Sequence, residues 1–227
     1  MRRCLTGVAA LAAALLVLVA ASAARTNEQQ GLVDKARITI EGFTSSADMA
    51  SMRRLLKEAK GVLVVPQLLK AAFFVGGAGG SGVLLTREAS GGEWRGPAFY
   101  TIGAGSFGLQ FGGEASEVVL LFMTDRAVDA VLHNKVKLGA EVSAAVGPVG
   151  QEREAATTTN LRADIYSYSR NKGLFVGMSL EGAVIASREA WNESYYGRAV
   201  TADDILAGRV EAPGAAGLKS ALARAEQ

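Results

Sequence analysis

The chain has 227 residues, with 24 Lys and Arg against 22 Asp and Glu, a single Cys and a single His. Residues 1–24 hold Arg2 and Arg3 and no acid, so the remainder balances 22 bases against 22 acids; without a basic surplus gathered on one face, no nucleic-acid partner is expected. One His and one Cys, the latter at position 4, exclude a multi-His metal centre and a Cys/His dyad, so no metal or other cofactor is expected.

The first segment reads as a cleaved signal peptide over 1–24. Arg2 and Arg3 form a short basic start, Leu5 to Ala21 is uncharged, and Ala21-Ser22-Ala23 meets the small-residue cleavage rule. Export to a bacterial-type periplasm or cell envelope is the expected localisation. Cys4 precedes the apolar run, where it is not a lipidation site.

Helical spacing follows. Leu32, Val33, Ala36, Ile40 and Phe43 mark one helix over Asn27 to Phe43. Ser45 with Asp48 three residues later signals the start of a second helix, whose apolar stripe is Met49, Met52, Leu55, Leu56 and Ala59. Arg53, Arg54, Lys57 and Lys60 load its C-terminal half, and Gly61 stops it.

Beyond Gly61 the period falls from about 3.6 to 2. Val62 to Val65 is a β-branched run ended by Pro66, and Gly76 to Gly82 reads as a flexible or bulged connection. Further strands are expected at Ala98 to Phe111, Glu117 to Met123, Val136 to Val146, Asp164 to Arg170 and Leu174 to Ile185. Asn171-Lys172-Gly173 is a hairpin turn, and Thr124 caps a helix over Asp125 to Leu132. Helices resume at Arg188 to Tyr196 and, behind a Thr201 to Asp204 capping box, at Ile205 to Ala207. Pro213 and the Gly/Ala-rich remainder read as a loosely attached tail. Strands this rich in glycine imply tight bends, bulges or close backbone approach. The expected fold is therefore α+β, a strongly curved or barrel-like antiparallel β-sheet with flanking N- and C-terminal helices.

Each chemical motif has a plainer reading. Gly103-Ala104-Gly105-Ser106-Phe107-Gly108, with Asp125 downstream, matches a dinucleotide fingerprint, but Leu109 to Gly113 continues a β-like alternation where a helix should open. Gly76 to Gly82 lacks the Gly-Lys-Ser/Thr ending of a P-loop. His133 sits at a helix end, and no nucleophile-elbow motif supports pairing it with Ser106. Asp203-Asp204 and Glu114 with Glu117 read as surface acids rather than a glycosidase pair. Asn192-Glu193-Ser194 matches a glycosylation sequon, which carries no weight in a bacterial host. No catalytic residue is nominated.

Several segments taken together carry a family resemblance. They are Lys57 to Gln67, Lys70-Ala71 leading to Gly82-Val83-Leu84-Leu85, Trp94 to Tyr100, Gly105 to Gly112, Val118 to Thr124, Asn171 to Phe175, and Ser179 to Gly182. In this order they resemble the SYLF family, a lipid-binding and actin-regulator module. The chain then divides into the signal peptide, a helical segment over 25–56, a SYLF-like β-rich domain over 57–188, and a C-terminal helical extension and tail over 189–227. The resemblance implies binding to acidic phospholipids through a basic, amphipathic N-terminal surface, and actin binding in some fungal relatives. The residues it carries over are Lys57, Lys60 and Lys70.

The expectation is a non-enzymatic protein that binds an anionic phospholipid membrane surface, with Arg53, Arg54, Lys57, Lys60 and Lys70 as candidate lipid-binding residues. The basic helix end has two readings. Either its bases complement the helix dipole while the stripe packs on the sheet, or Met49, Met52, Leu55 and Leu56 enter the headgroup boundary while the bases meet lipid. The alternative function is a structural or protein-interaction module with an unknown protein partner. A hydrolase would require carboxylates gathered around Ser106 or His133.

Overall fold

The computed structural model describes residues 28–72, 75–87, 92–107, 112–133, 135–149, 163–171, 173–176 and 180–227. The expected signal peptide lies outside the described residues.

A first helix, α1, covers residues 28–44. Ser46 caps a 3₁₀ turn at Ala47–Met49 by accepting from the Asp48 amide, and α2 follows at Ala50–Glu58. The strands are β1 Gly61–Ala72, β2 Val75–Thr86, β3 Arg95–Phe107, β4 Gly112–Phe122, β5 Val136–Lys137, β6 Ala144–Val146, β7 Ile165–Asn171, β8 Leu174–Val176 and β9 Val184–Ser187. Helix α3, Asp125–His133, lies between β4 and β5, and β9 is followed by α4 Glu189–Tyr196, α5 Ala202–Leu206 and α6 Ala216–Ala225. Among the described residues the strands form one sheet in the order β5-β9-β3-β2-β1-β4-β7-β6, with β8 also paired to β7. All pairings are antiparallel except β6 with β7.

The sheet is a strongly curled half-barrel, and the chain path shows why it cannot be flat. β5 and β6 are its opposite edges, yet only the segment from Lys137 to Ala144 joins them. Eight strands laid flat would set those edges about 34 Å apart. A fully extended segment of that length reaches only about 25 Å. A bridge between Leu138 and Val142 shortens it further.

This corrects the expectation of a continuous strand over Val136 to Val146. Gly139, at φ +84°, turns the chain, and the Ala140 and Glu141 amides both donate to the Lys137 carbonyl. The alternation survives as burial only in part: Val136, Leu138 and Val142 are in the core, whereas Ala140 and Val146 are exposed. It serves two edges rather than one strand.

Two further expectations change. β1 does not end at Pro66 but continues to Ala72. Proline has no amide to give a central strand, and the register slips past it on both sides, between Val64 and Gln67 toward β2 and between Val65 and Leu68 toward β4. The glycine run from Gly76 to Gly82 is not a connection but the body of β2. A Cβ at Gly80 would lie 2.5 Å from the Gln67 carbonyl oxygen, and one at Gly82 2.5 Å from that of Val64, so glycine lets β2 close against the bulge.

Apolar layers cover both faces of the sheet. Val62 and Val64 face a core built with Val33, Ile40 and Phe43 of α1, Met52 and Leu56 of α2, and Leu218 and Leu222 of α6. Leu63 and Val65 face a second core with Val131 of α3, Ile205 of α5 and Ile185 of β9. Burial on both sides explains why Val62 to Val65 and Val118 to Phe122 read as unbroken apolar runs.

The C-terminal residues are not a loose tail. Leu218, Ala221, Leu222 and Ala225 of α6 are buried at helical spacing. Trp94 donates its indole N–H to Glu226 at 2.8 Å, so the end of the chain is fastened to the start of β3.

Candidate functional site

α2 is held by its apolar side. Met49, Met52, Leu56 and Ala59 are fully buried in the first core. The membrane-inserted reading of Met49, Met52, Leu55 and Leu56 is therefore overturned for Met49, Met52 and Leu56, which are committed to the core, while Leu55 is half-buried against it. Arg87, itself buried, donates to the carbonyls of Leu56 (2.5 Å), Lys57 (2.7 Å) and Ala59 (2.8 Å) and so satisfies the open end of the helix. This buried cap, carried from β2, is a residue that helical periodicity could not point to.

The basic residues of α2 and the one just beyond it have distinct local roles. Arg53 donates to the Thr44 carbonyl at 2.8 Å and that of Ser46 at 2.7 Å, closing the turn between α1 and α2. Arg54 and Lys57 are exposed. Lys60 lies 3.7 Å from Asp125 at the start of α3. These four share one end of the molecule. Lys70 does not join them: it sits ten residues along β1 from Lys60, about 30 Å at strand rise, in register with Glu114 of β4.

The motifs set aside on sequence grounds fall into structural roles. Gly103 to Phe107 belongs to antiparallel β3, and Gly108, where the fingerprint would need its helix to open, lies outside the described residues. Glu117 accepts from Thr39 at 3.1 Å and pairs with Arg170, tying α1, β4 and β7 together. Asp204 completes the Thr201 capping box, and Asp203 pairs with Arg209. Asn192 is fully buried and accepts from the Phe99 amide at 2.8 Å, a place no glycan reaches. Among the described residues no cluster of three His, Cys, Asp or Glu could hold a metal ion, and no helix is long and apolar enough to cross a membrane.

A curled, almost wholly antiparallel sheet clad by terminal helices, carrying a basic helix anchored by its apolar side, defines a small α+β domain. The profile of the Ysc84 family, described as "Las17-binding protein actin regulator", matches residues 103–225, and the chain belongs to this family. The SYLF resemblance read from the sequence points to the same family. The chain is 36% identical over 170 residues to "LAS seventeen-binding protein 3" of Saccharomyces cerevisiae, covering 74% of this chain and 37% of that protein. It is 37% identical over 165 residues to "SH3 domain-containing protein PJ696.02" of Schizosaccharomyces pombe, covering 71% and 38%. With "SH3 domain-containing YSC84-like protein 1" of Homo sapiens it shares 33% identity over 160 residues, 70% of this chain and 46% of that protein. The chain thus spans less than half the length of these relatives.

Proposed function

We propose that this protein is a non-enzymatic module that associates with anionic phospholipid surfaces through the outer side of α2, acting in a bacterial cell envelope after export. One observation carries the reading: Arg54 and Lys57 are exposed on a helix whose apolar side is buried, with Arg53 and, just past its end, Lys60 half-buried beside them. Contact is then peripheral and electrostatic, at about 1 kcal/mol per base close to an anionic leaflet. Lys70 belongs to a separate contact or to none. Flotation of the protein with phosphatidylglycerol vesicles and with phosphatidylcholine vesicles at low salt tests it. Recovery with the anionic vesicles alone is expected, and equal recovery with both removes the proposal.

A second reading is favoured by the names of the relatives, which describe a Las17-binding and actin-regulating role. In this reading the same fold presents a surface to a protein partner in the envelope. Loss of vesicle binding with retained capture of an envelope protein would favour it over the first.

A further inference from the structure

Lys60 meets an acid that a different element carries. Its backbone is pinned at the head of β1, where its amide donates to the Phe122 carbonyl at 2.7 Å and its carbonyl accepts from the Arg87 amide at 2.9 Å. Gly61 stands in register with Phe122, the last residue of β4, so the chain leaving β4 enters α3 beside Lys60. Thr124 fixes that entry, donating to Asp164 at 2.8 Å and accepting from the Ala127 amide at 3.2 Å. Asp125, the first residue of α3, is thereby set with Oδ1 3.7 Å from Lys60 Nζ. The pairing of β1 with β4 places this acid, not proximity in sequence.

The pair is open to solvent on the acid's side, with the Asp125 side chain 76% exposed and that of Lys60 26% exposed. Between exposed groups such a pair shifts an equilibrium by about fivefold at most. A base brought against an anionic leaflet gains a factor of about the same size. Moving the Lys60 ammonium from Asp125 to a lipid phosphate therefore exchanges one partner for another of similar strength, with little net gain. Any leaflet that reached Lys60 would also lie within a Debye length of Asp125, about 8–10 Å, and repel it.

We infer that Asp125 is a built-in competitor for Lys60: it keeps this base out of the contact that α2 makes with an anionic surface and so limits the strength of that contact. The inference rests on the lipid reading above and adds to it a restraining residue on a different helix.

Titration with phosphatidylglycerol vesicles at low salt, read by flotation, tests this with the unaltered protein, Asp125→Asn, Lys60→Gln and the double variant. Asp125→Asn should bind about fivefold more tightly. Lys60→Gln should weaken binding by about fivefold in the Asp125→Asn background and by at most about twofold in the unaltered one, a non-additive cycle. Asp125→Ser gives the same reading should asparagine disturb the start of α3. No gain on removing the acid, or a Lys60→Gln cost equal in the two backgrounds as independent charges would give, overturns the competitor while vesicle binding persists. Failure of the unaltered protein to float with these vesicles overturns the lipid reading itself, and the inference with it.

Discussion

Arg87 Nη1 lies 2.9 Å from Glu226 Oε1, close but not aligned as a hydrogen bond, and joins the end of β2 to the last turn of the chain. The guanidinium also stands 4.5 Å from the Trp94 ring and caps α2. One buried cation thus holds the helix that carries the basic face, the sheet and the C-terminus together. Removing one partner of a buried pair strands the other, so Arg87→Met should cost about 3–5 kcal/mol. Denaturant unfolding measures this, and Glu226→Gln, which keeps an acceptor for Trp94 but leaves the fully buried Arg87 without its counter-charge, should also destabilise.

Deleting residues 216–227 removes Leu218 and Leu222 from the first core as well as Glu226. Each such leucine contributes roughly 2–5 kcal/mol when truncated to alanine, comparable to the whole stability of a domain, roughly 5–15 kcal/mol. The shortened protein should lose its cooperative thermal transition. A sharp transition at the original temperature would show that α6 is dispensable.

The glycines of β2 divide into two kinds with opposite responses. Gly82→Ala places a Cβ 2.5 Å from the Val64 oxygen and 2.8 Å from Val65 and should lower the melting temperature by several degrees, as expected for more than about 1 kcal/mol. Gly79→Ala meets no such contact and should hold or raise stability by roughly 0.4–1 kcal/mol. Thermal melts of the two variants side by side distinguish them.

Asp164, at the start of β7, is the knot beside the β6 edge. Burial alone would raise its carboxyl, but the Ser143 amide (2.9 Å) and hydroxyl (2.8 Å), Thr124 (2.8 Å) and Arg126 (2.7 Å) outweigh that and hold it down at about 2. A carboxyl lowered by folding contributes stability above its ordinary value of 3.8, and that stability is lost as pH falls toward 2. Stability should therefore drop between pH 3.8 and about 2, and Asp164→Asn should flatten that part of the curve while lowering stability at neutral pH. Urea midpoints across this range provide the measurement.

Much of the architecture was legible because it depends on local signals. Thr201 with Asp204, Thr124 before α3, and Gly173 at φ +81° between β7 and β8 all act over a few residues. Pro66 misled because a proline ends a strand unless a bulge excuses its missing amide, and the bulge depends on Gly80 and Gly82 of another strand. α6 was missed because alanine is a weak apolar signal, although Leu218, Ala221, Leu222 and Ala225 keep helical spacing. Val136 to Val146 was divided because its two ends pair with strands at opposite edges, a fact of topology. For the candidate site, the basic residues of α2 were legible as a charge run, whereas the burial of its stripe and the separation of Lys70 needed the sheet. The difference between Gly82, which the fold needs, and Gly79, which it does not, was invisible, since both are spelled alike.

The proposed contact of α2 with anionic lipid depends on its exposed bases, Arg54 and Lys57. The most direct test reverses Arg54 and Lys57 to Glu, sparing Arg53 and Lys60, which also close the α1 turn and pair with Asp125, and compares recovery on phosphatidylglycerol vesicles at matched folding stability. Binding should weaken by about a thousandfold, following about 1 kcal/mol for each base lost and a similar penalty for each acid gained. Recovery equal to that of the unaltered protein would show that α2 makes no contact with the lipid.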